Sequence, residues 1–393
     1  MTAEAISFGC RLNATEAEGM RALAGTRDVL VVNTCAVTAE AEAQARQAIR
    51  RAVREKPGRP ILVTGCAAEI APAAWASLPG VARVIPNAAK LDPASWGGGA
   101  APAPAAARTR AFLAVQNGCD HRCTFCVIPQ GRGPSRSVPM GLVAERARAL
   151  VEAGCREVVL TGVDIASYGA DLPGAPRLGQ MARRLLAAVP GLARLRLSSL
   201  DPVGMDEDLW RLVAEEPRLM PHLHLSVQHG ADLVLKRMRR RHLRADVLAL
   251  CRRARALRPE MAFGADLIAG FPTETEDHLA QLLDLVEACD LSFLHVFPYS
   301  ERPGTAAARM PALPVAVRRE RAARLREAGR RAARRLYDGR LGRVESVLVE
   351  RGGRGHTEQF VPVRLRGPGP GAGELAGMRA VGADDDGLIV ERV

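Results

Sequence analysis

Between residues 109 and 310, six short apolar runs alternate with helix-length segments, and this alternation points the region to a parallel-stranded α/β fold. The runs are residues 111–116, 157–161, 195–200, 222–228, 263–268 and 293–298, with helical composition at 142–153, 181–189, 244–257 and 276–288. Parallel neighbours cannot be joined by a tight hairpin, so each pair needs a long crossover, which a helix supplies. The pattern predicts a barrel-like parallel sheet whose chemistry gathers at the C-terminal strand ends.

The first run leads into Gln116-Asn-Gly-Cys-Asp-His-Arg-Cys-Thr-Phe-Cys-Val-Ile-Pro, where Cys119, Cys123 and Cys126 form a C-x3-C-x2-C triplet. Three thiolates in so short a loop can hold three irons of a cubane cluster. The fourth iron is then left open to a substrate. Cluster cysteines normally come in fours and zinc ligands in pairs or fours. The bland alternatives are a structural zinc knuckle or three unrelated thiols.

Residues 1–90 read as a second, smaller α/β unit. Runs 29–32 and 61–64 suit buried strands, and the Ala-, Gln- and Arg-rich segment 39–54 suits a helix between them. Cys10 follows Gly9, while Cys35 and Cys66 each end a run. Strand ends of a parallel sheet share one edge, so these three cysteines can converge on a second open cluster. Three buried core cysteines are the alternative. Cys155, Cys251 and Cys289 lie among apolar residues and read as core.

Residues 91–108 are rich in Gly, Ala and Pro and read as a linker. Residues 314–337 read as an Arg-rich helix. Residues 338–393 carry strand-like runs at 344–350, 360–365 and 388–390, interrupted by a Gly/Pro loop at 367–373, which suggests a small OB-like β-barrel. The chain has a formal net charge of +12, and its lysines are Lys56, Lys90 and Lys236 alone. Arginines cluster at 236–258 and 318–343. A charge run is usually a solvated helix face, but few acidic residues stand within either cluster, so phosphate binding is expected, with RNA as the partner. No run approaches membrane-spanning length and no secretory signal is evident. A cytoplasmic location without a membrane partner is therefore expected, where nine cysteines favour metal over disulfides.

The triplet, with Phe125 before its last cysteine, resembles that of radical S-adenosylmethionine (SAM) enzymes. With Cys10, Cys35 and Cys66 added, the chain resembles the methylthiotransferases of that superfamily over nearly its whole length. Further similar segments are Leu160-Thr-Gly-Val-Asp, Arg196-Leu-Ser-Ser-Leu-Asp-Pro, His224-Leu-Ser-Val-Gln-His-Gly, Gly264-Ala-Asp-Leu-Ile-Ala-Gly-Phe-Pro and Ser300-Glu-Arg-Pro-Gly-Thr. Arg-Gly-Pro-Ser-Arg at 132–136 and the Asn33-Thr-Cys-Ala-Val-Thr block resemble the branch acting on N6-threonylcarbamoyladenosine 37 of tRNA. The sister branches act on isopentenyladenosine 37 or a ribosomal-protein aspartate. Only 24 residues separate Cys10 from Cys35, fewer than the family pattern implies, and the shortening is expected between the helix and strand near 23–28.

The resemblance implies an N-terminal cluster domain, a central partial (β/α)6 barrel and a C-terminal TRAM-like barrel. It implies two 4Fe–4S clusters, on Cys10/Cys35/Cys66 and on Cys119/Cys123/Cys126, and two uses of SAM: one methylates a cluster-borne sulfur, the other yields the radical that takes hydrogen from adenine C2. The activity implied is that of an alkylthio-group transferase, with a flavodoxin-like or ferredoxin-like electron donor and no sulfur donor identified. Thr161, Gly162, Ser198, Ser199 and Gln228 are implied as SAM contacts. Arg132, Arg136, Arg330, Arg331, Arg334 and Arg335 are expected to meet RNA. A non-catalytic iron–sulfur RNA-binding protein and a zinc-stabilised RNA-binding module are the rival readings.

Overall fold

The structure is a computed structural model and describes residues 3–96 and 109–393. Four parallel strands in sequence order, β1 (Glu4–Ser7), β2 (Leu30–Thr34), β3 (Ile61–Gly65) and β4 (Val81–Val84), form the N-terminal sheet. Its helices are α1 (Arg11–Ala24), α2 (Ala39–Glu55), α3 (Cys66–Ile70) and α4 (Pro72–Ala76). Thr38 caps α2 by accepting the Ala41 N–H. Gly25, at φ 65°, ends α1, so only residues 25–29 connect it to β2, where the shortening was expected. The strands β1 and β4 escaped the sequence reading because neither has a buried residue, so neither shows a continuous apolar run.

The expected linker does not begin at residue 91. Pro93–Trp96 forms a 3-10 turn, and Trp96 is fully buried beside Met20, Leu23 and Ile85, donating its indole N–H to the Lys90 carbonyl at 2.9 Å. One large ring with a satisfied N–H outweighs the surrounding Gly/Ala/Pro character. Residues 97–108 of that expected linker lie outside the described residues.

The central unit starts with β5 (Arg110–Ala114), followed by the short antiparallel pair β6 (Gln116–Asn117) and β7 (Arg136–Ser137), which brackets the cysteine loop. Then come β8 (Glu157–Thr161), β9 (Arg194–Leu197), β10 (His222–Gln228), β11 (Ala262–Ala269) and β12 (Leu291–Pro298). β5-β8-β9 and β10-β11-β12 are parallel sheets, linked by the bridges Leu195↔Leu219 and Leu200↔Leu225 into one six-stranded arc. Its helices are α5 (Ile128–Arg132), α6 (Met140–Glu152), α7 (Leu178–Ala188), α8 (Glu207–Glu215), α9 (Asp232–Arg237), α10 (Arg244–Leu257) and α11 (Glu276–Ala288). Helix α8 was not expected; its signal is Asp206, which caps Leu209 N–H at 2.9 Å ahead of an apolar stripe. The arc is open between β5 and β12. There α1 packs beside β5, and the start of α2 meets the segment after β12 through Ala39 N–H to Ser300 Oγ (3.2 Å) and Arg302 to Glu42 (2.6 Å).

Helix α12 (Val315–Asp338) runs along β12 into a closed barrel of β13 (Val344–Glu350), β14 (Arg354–Thr357), β15 (Pro362–Leu365), β16 (Leu375–Asp384) and β17 (Gly387–Arg392), in the order β13-β14-β15-β17-β16. The strands β14 and β16, rich in Gly, Ala and Arg, have little strand propensity; closure supplies their pairing. The barrel docks on the N-terminal ends of the central strands. Arg194 donates to the Ser346 carbonyl (2.8 Å), and Arg196 to the carbonyls of Glu358 (2.8 Å) and Thr357 (2.9 Å). Both surround the buried Glu157, with Arg110 completing the group and pairing with Glu350 at 3.0 Å. Phe360 inserts its ring between His356 and His222, at 4.7 and 5.3 Å.

Candidate metal centres

The triplet loop is shaped by Gly118 (φ 75°): a Cβ there would stand 1.8 Å from the Pro134 carbonyl oxygen, so only glycine lets the loop close. Gln116 fastens it. Its amide nitrogen donates to the Gly118 carbonyl (2.8 Å) and Ser135 Oγ (2.9 Å), and its oxygen accepts the N–H groups of Val163 (3.0 Å) and Asp164 (2.9 Å) beyond β8. Each sulfur receives a donor: His121 N–H on Cys119 at 3.4 Å, Ile128 N–H on Cys126 at 3.4 Å and Arg240 on Cys123 at 3.5 Å. Burial, reinforced by the neighbouring thiols, pushes Cys119 up to about 11 and Cys126 up to about 12. Cys119 and Cys126 therefore hold their protons until a cation displaces them. Three converging half-buried sulfurs, each with a hydrogen-bond donor, fit a cluster held by three thiolates. Asp164, 2.8 Å from His121, stands within 4.8 Å of the Cys119 sulfur.

The second set is assembled from three strand ends. Cys10 follows β1 as the N-cap of α1, Cys35 follows β2 directly and Cys66 follows β3 as the first residue of α3. Gly9 (φ 85°) lies so close to Cys35 that a Cβ would stand 2.3 Å from its sulfur. Burial raises Cys35 to about 11, with Cys10 and Cys66 both close enough to contribute. Val37 N–H donates to the Cys35 sulfur at 3.4 Å, and Asn87 Nδ2 lies 3.9 Å from that of Cys66. Asn13 ties the set together, donating to the carbonyls of Phe8 (2.8 Å) and Thr34 (3.0 Å). This donor set fits a second three-thiolate cluster.

The two sets meet across α5. Gly131 of α5 packs on α3, where a Cβ would stand 2.9 Å from that of Cys66, and Asn87 also donates to the Gly131 carbonyl. One residue on, Arg132 is buried and grips Glu16 with both arms, at 2.8 and 3.0 Å. Lys90 reaches the same carboxylate at 2.5 Å. Burial alone would raise the Glu16 pKa, but Lys90 and Arg132 outweigh it and hold the carboxyl below its usual range. Arg132 is thus a buried lock between α1 and α5 and has no surface for RNA, which corrects the sequence expectation. Arg136 is exposed and donates to the Arg132 carbonyl at 3.1 Å.

Of the strand-end residues, Thr161 is buried at the end of β8, and Gly162 is pressed so close to Gln116 that a Cβ would stand 2.7 Å from its carbonyl oxygen. Ser198 and Ser199 follow β9. Ser199 Oγ donates to Asp266 Oδ2 (3.0 Å), whose other oxygen meets His224 and His295, each at 3.0 Å. Burial alone would raise the Asp266 pKa, but His224 and His295 outweigh it and hold the carboxyl below its ordinary value. Gln228 ends β10 at φ 69°. His229 is wholly buried on Glu274 at 3.1 Å, a core contact. Arg240, in the cluster expected to meet phosphate, instead turns to Cys123 and holds Asp201 at 3.0 Å, and both border a 230 Å³ cavity beside the triplet. A larger concavity of 770 Å³ lies away from both cysteine sets, between α10 and α12.

The arginine clusters are neutralised more than the sequence suggested. Arg330 and Arg331 pair with Glu327, Arg334 with Asp338 at 2.9 Å and Arg335 with Asp290 at 3.2 Å. In the first cluster Arg244 pairs with Asp284 and Arg253 with Glu207 at 3.0 Å. The carboxylates of Asp284, Glu207 and Asp290 come from elements outside the clusters, which a count along the chain cannot see. All four α12 side chains remain exposed enough to exchange such partners for phosphate.

A family model described as the radical SAM superfamily matches residues 113–286, and one described as uncharacterized protein family UPF0004 matches residues 2–85. The chain is 46% identical to the threonylcarbamoyladenosine tRNA methylthiotransferase MtaB of Rickettsia prowazekii, over 92% of this chain and 91% of that protein. The protein of the same name from Aquifex aeolicus is 30% identical, over 92% of this chain and 96% of its own length. A tRNA-2-methylthio-N(6)-dimethylallyladenosine synthase of Cereibacter sphaeroides is 33% identical, over 98% and 97%. Among solved structures, the radical SAM methyltransferase TsrM of Kitasatospora setae shares the fold, with a TM-score of 0.53 and 17% identity over 76% of this chain and 67% of that one.

Proposed function

Because the chain belongs to the radical SAM methylthiotransferase family, we propose that it inserts a methylthio group at C2 of N6-threonylcarbamoyladenosine 37 in tRNA. The observation that carries the reading is the near-full-length identity of 46% to a protein named for that activity, against 33% to one named for the dimethylallyl substrate. A cubane cluster and SAM, when bound at Cys119, Cys123 and Cys126, supply the carbon radical that can take an unactivated ring hydrogen, a step no side-chain base can perform.

The residues around the sulfurs position and shield. Gln116 couples the triplet loop to the end of β8, so the Thr161–Gly162 edge and the cysteines move as one body. Arg240 directs one donor at Cys123 while anchored on Asp201. The Arg132–Glu16–Lys90 lock holds Cys10 and Cys66 against α5. We assign Cys10, Cys35 and Cys66 to a second cluster that presents sulfur, and Thr161, Gly162, Ser198, Ser199 and Gln228 to contacts with SAM. Arg136, α12 and the C-terminal barrel are assigned to the tRNA, and a small ferredoxin-like or flavodoxin-like protein to electron supply. No helix among the described residues is long and apolar enough to cross a membrane.

Iron and sulfide counting on anaerobically purified protein tests the two-cluster assignment: about eight irons per chain are expected, and about four would remove the second cluster. Mass analysis of tRNA nucleosides from a deletion strain tests the substrate. Loss of the methylthio derivative of threonylcarbamoyladenosine alone is expected; loss of the dimethylallyl derivative instead would transfer the assignment to the sister branch.

A further inference from the structure

Arg11, the residue after Cys10, carries a guanidinium with no ion pair or hydrogen bond to any acid among the described residues. Its setting is unusual for a free cation. The guanidinium carbon stands 5.6 Å from the centre of the Phe112 ring on β5 and 5.9 Å from that of Phe360, the ring the C-terminal barrel inserts. The side chain is exposed, yet both rings flank its guanidinium. It therefore lies on the open side of the arc, where β5 and the inserted Phe360 ring come together.

The neighbouring charges do not satisfy it. Arg110 and Arg196 share Glu157, and Arg110 also holds Glu350. Asp266 is an acid close enough to attract Arg11, but its carboxylate already accepts from Ser199, His224 and His295. That leaves a planar two-armed donor beside the Phe112 ring with no acid pairing it among the described residues. Such a donor suits a ligand bearing a carboxylate, since guanidinium grips carboxylate with two parallel bonds.

We propose that Arg11 binds the threonyl carboxylate of the modified adenosine and so sets the choice of substrate. The proposal rests on the threonylcarbamoyladenosine reading above and deepens it. A neutral alkyl substituent at N6 gives the guanidinium no partner, which disfavours that substrate relative to one bearing a carboxylate. The adjacency also has a use: Cys10 is about 3.8 Å away along the chain from Cα to Cα, so the residue that holds the substituent is covalently joined to a candidate ligand of the sulfur-bearing cluster.

The test measures equilibrium binding of three anticodon stem-loop RNAs to the full reconstituted chain. They carry threonylcarbamoyladenosine, isopentenyladenosine or unmodified adenosine at position 37. Wild type is expected to prefer the first over the unmodified RNA by at least about tenfold. Arg11→Gln should bring that ratio close to one while changing unmodified binding less than about twofold, and Arg11→Lys should keep most of it. Iron content equal to wild type in both variants establishes that the fold and clusters are intact. A preference retained by R11Q overturns the proposal and leaves the substrate reading standing. No preference in wild type, with isopentenyladenosine RNA bound best, overturns both.

Discussion

Cys119, Cys123 and Cys126 sit in one loop, whereas Cys10, Cys35 and Cys66 come from three strand ends. The first set depends on local geometry: a glycine turn, the short β6–β7 pair and the Gln116 side chain. The second depends on the register of β1, β2 and β3 and on Glu16 holding α1 to α5. A contiguous ligand set survives small movements of the domain around it, because the loop carries all three sulfurs together. A dispersed one does not, since every strand shift moves one sulfur relative to the others.

The largest effects should come from the sulfurs themselves, and they separate the two sets. Cys123→Ala is expected to abolish both 5′-deoxyadenosine formation and methylthio product. Cys35→Ala should abolish product while SAM cleavage continues, each variant losing about half the iron. Chromatographic assay of both products checks this, and equal loss of SAM cleavage in the two variants would show that the sets are not independent.

The next effect sharpens the dependence on tertiary structure. Glu16→Gln strands two buried cations, Arg132 and Lys90, so destabilisation of about 3–5 kcal/mol is expected. Urea denaturation measures it. Iron should be lost from the dispersed set first, seen as retained SAM cleavage with falling product; simultaneous loss from both would break the contrast.

A smaller effect concerns the docked barrel. Burial, aided by the neighbouring Arg196 and His224, holds His222 well below the ordinary histidine value of 6.5. The unfolded chain then takes up a proton that the folded chain refuses, so stability is lost as pH falls through 6.5. The slope approaches about 1.4 kcal/mol per pH unit below it. Thermal melts between pH 8 and 5.5 should show this slope, and His222→Phe should flatten it; an unchanged slope in the variant would assign the acid sensitivity elsewhere.

The smallest effect is expected on α12. Arg331→Gln or Arg334→Gln should change stability by no more than about 0.5 kcal/mol, as exposed pairs do. If the helix meets tRNA phosphate, each should also lower the dependence of log affinity on log salt by about one unit. Filter binding across a salt series measures it, and an unchanged slope would exclude the helix from the RNA contact.

Much of this molecule was legible without coordinates where the determining interactions are local. The triplet could be read because few residues separate its members, so chain connectivity alone keeps the sulfurs together. The β8, β10, α10 and α11 segments could be read because burial on a parallel sheet or a helix face imposes a period on the residues that do it. The position of Cys35 and Cys66 at strand ends was likewise visible, being a property of the runs they terminate. Only the tertiary structure decided what depends on partners distant along the chain. Arg132 became an internal lock because Glu16, 116 residues away, reaches it. The arginine runs became ion-pair networks because Asp284 and Asp290 fold against them. Arg11 is left without an acid partner among the described residues because Asp266 is already taken by two histidines and a serine. A side chain's charge is set by its type, but whether that charge is spent inside the fold or left for a ligand is set by which neighbours the fold brings to it.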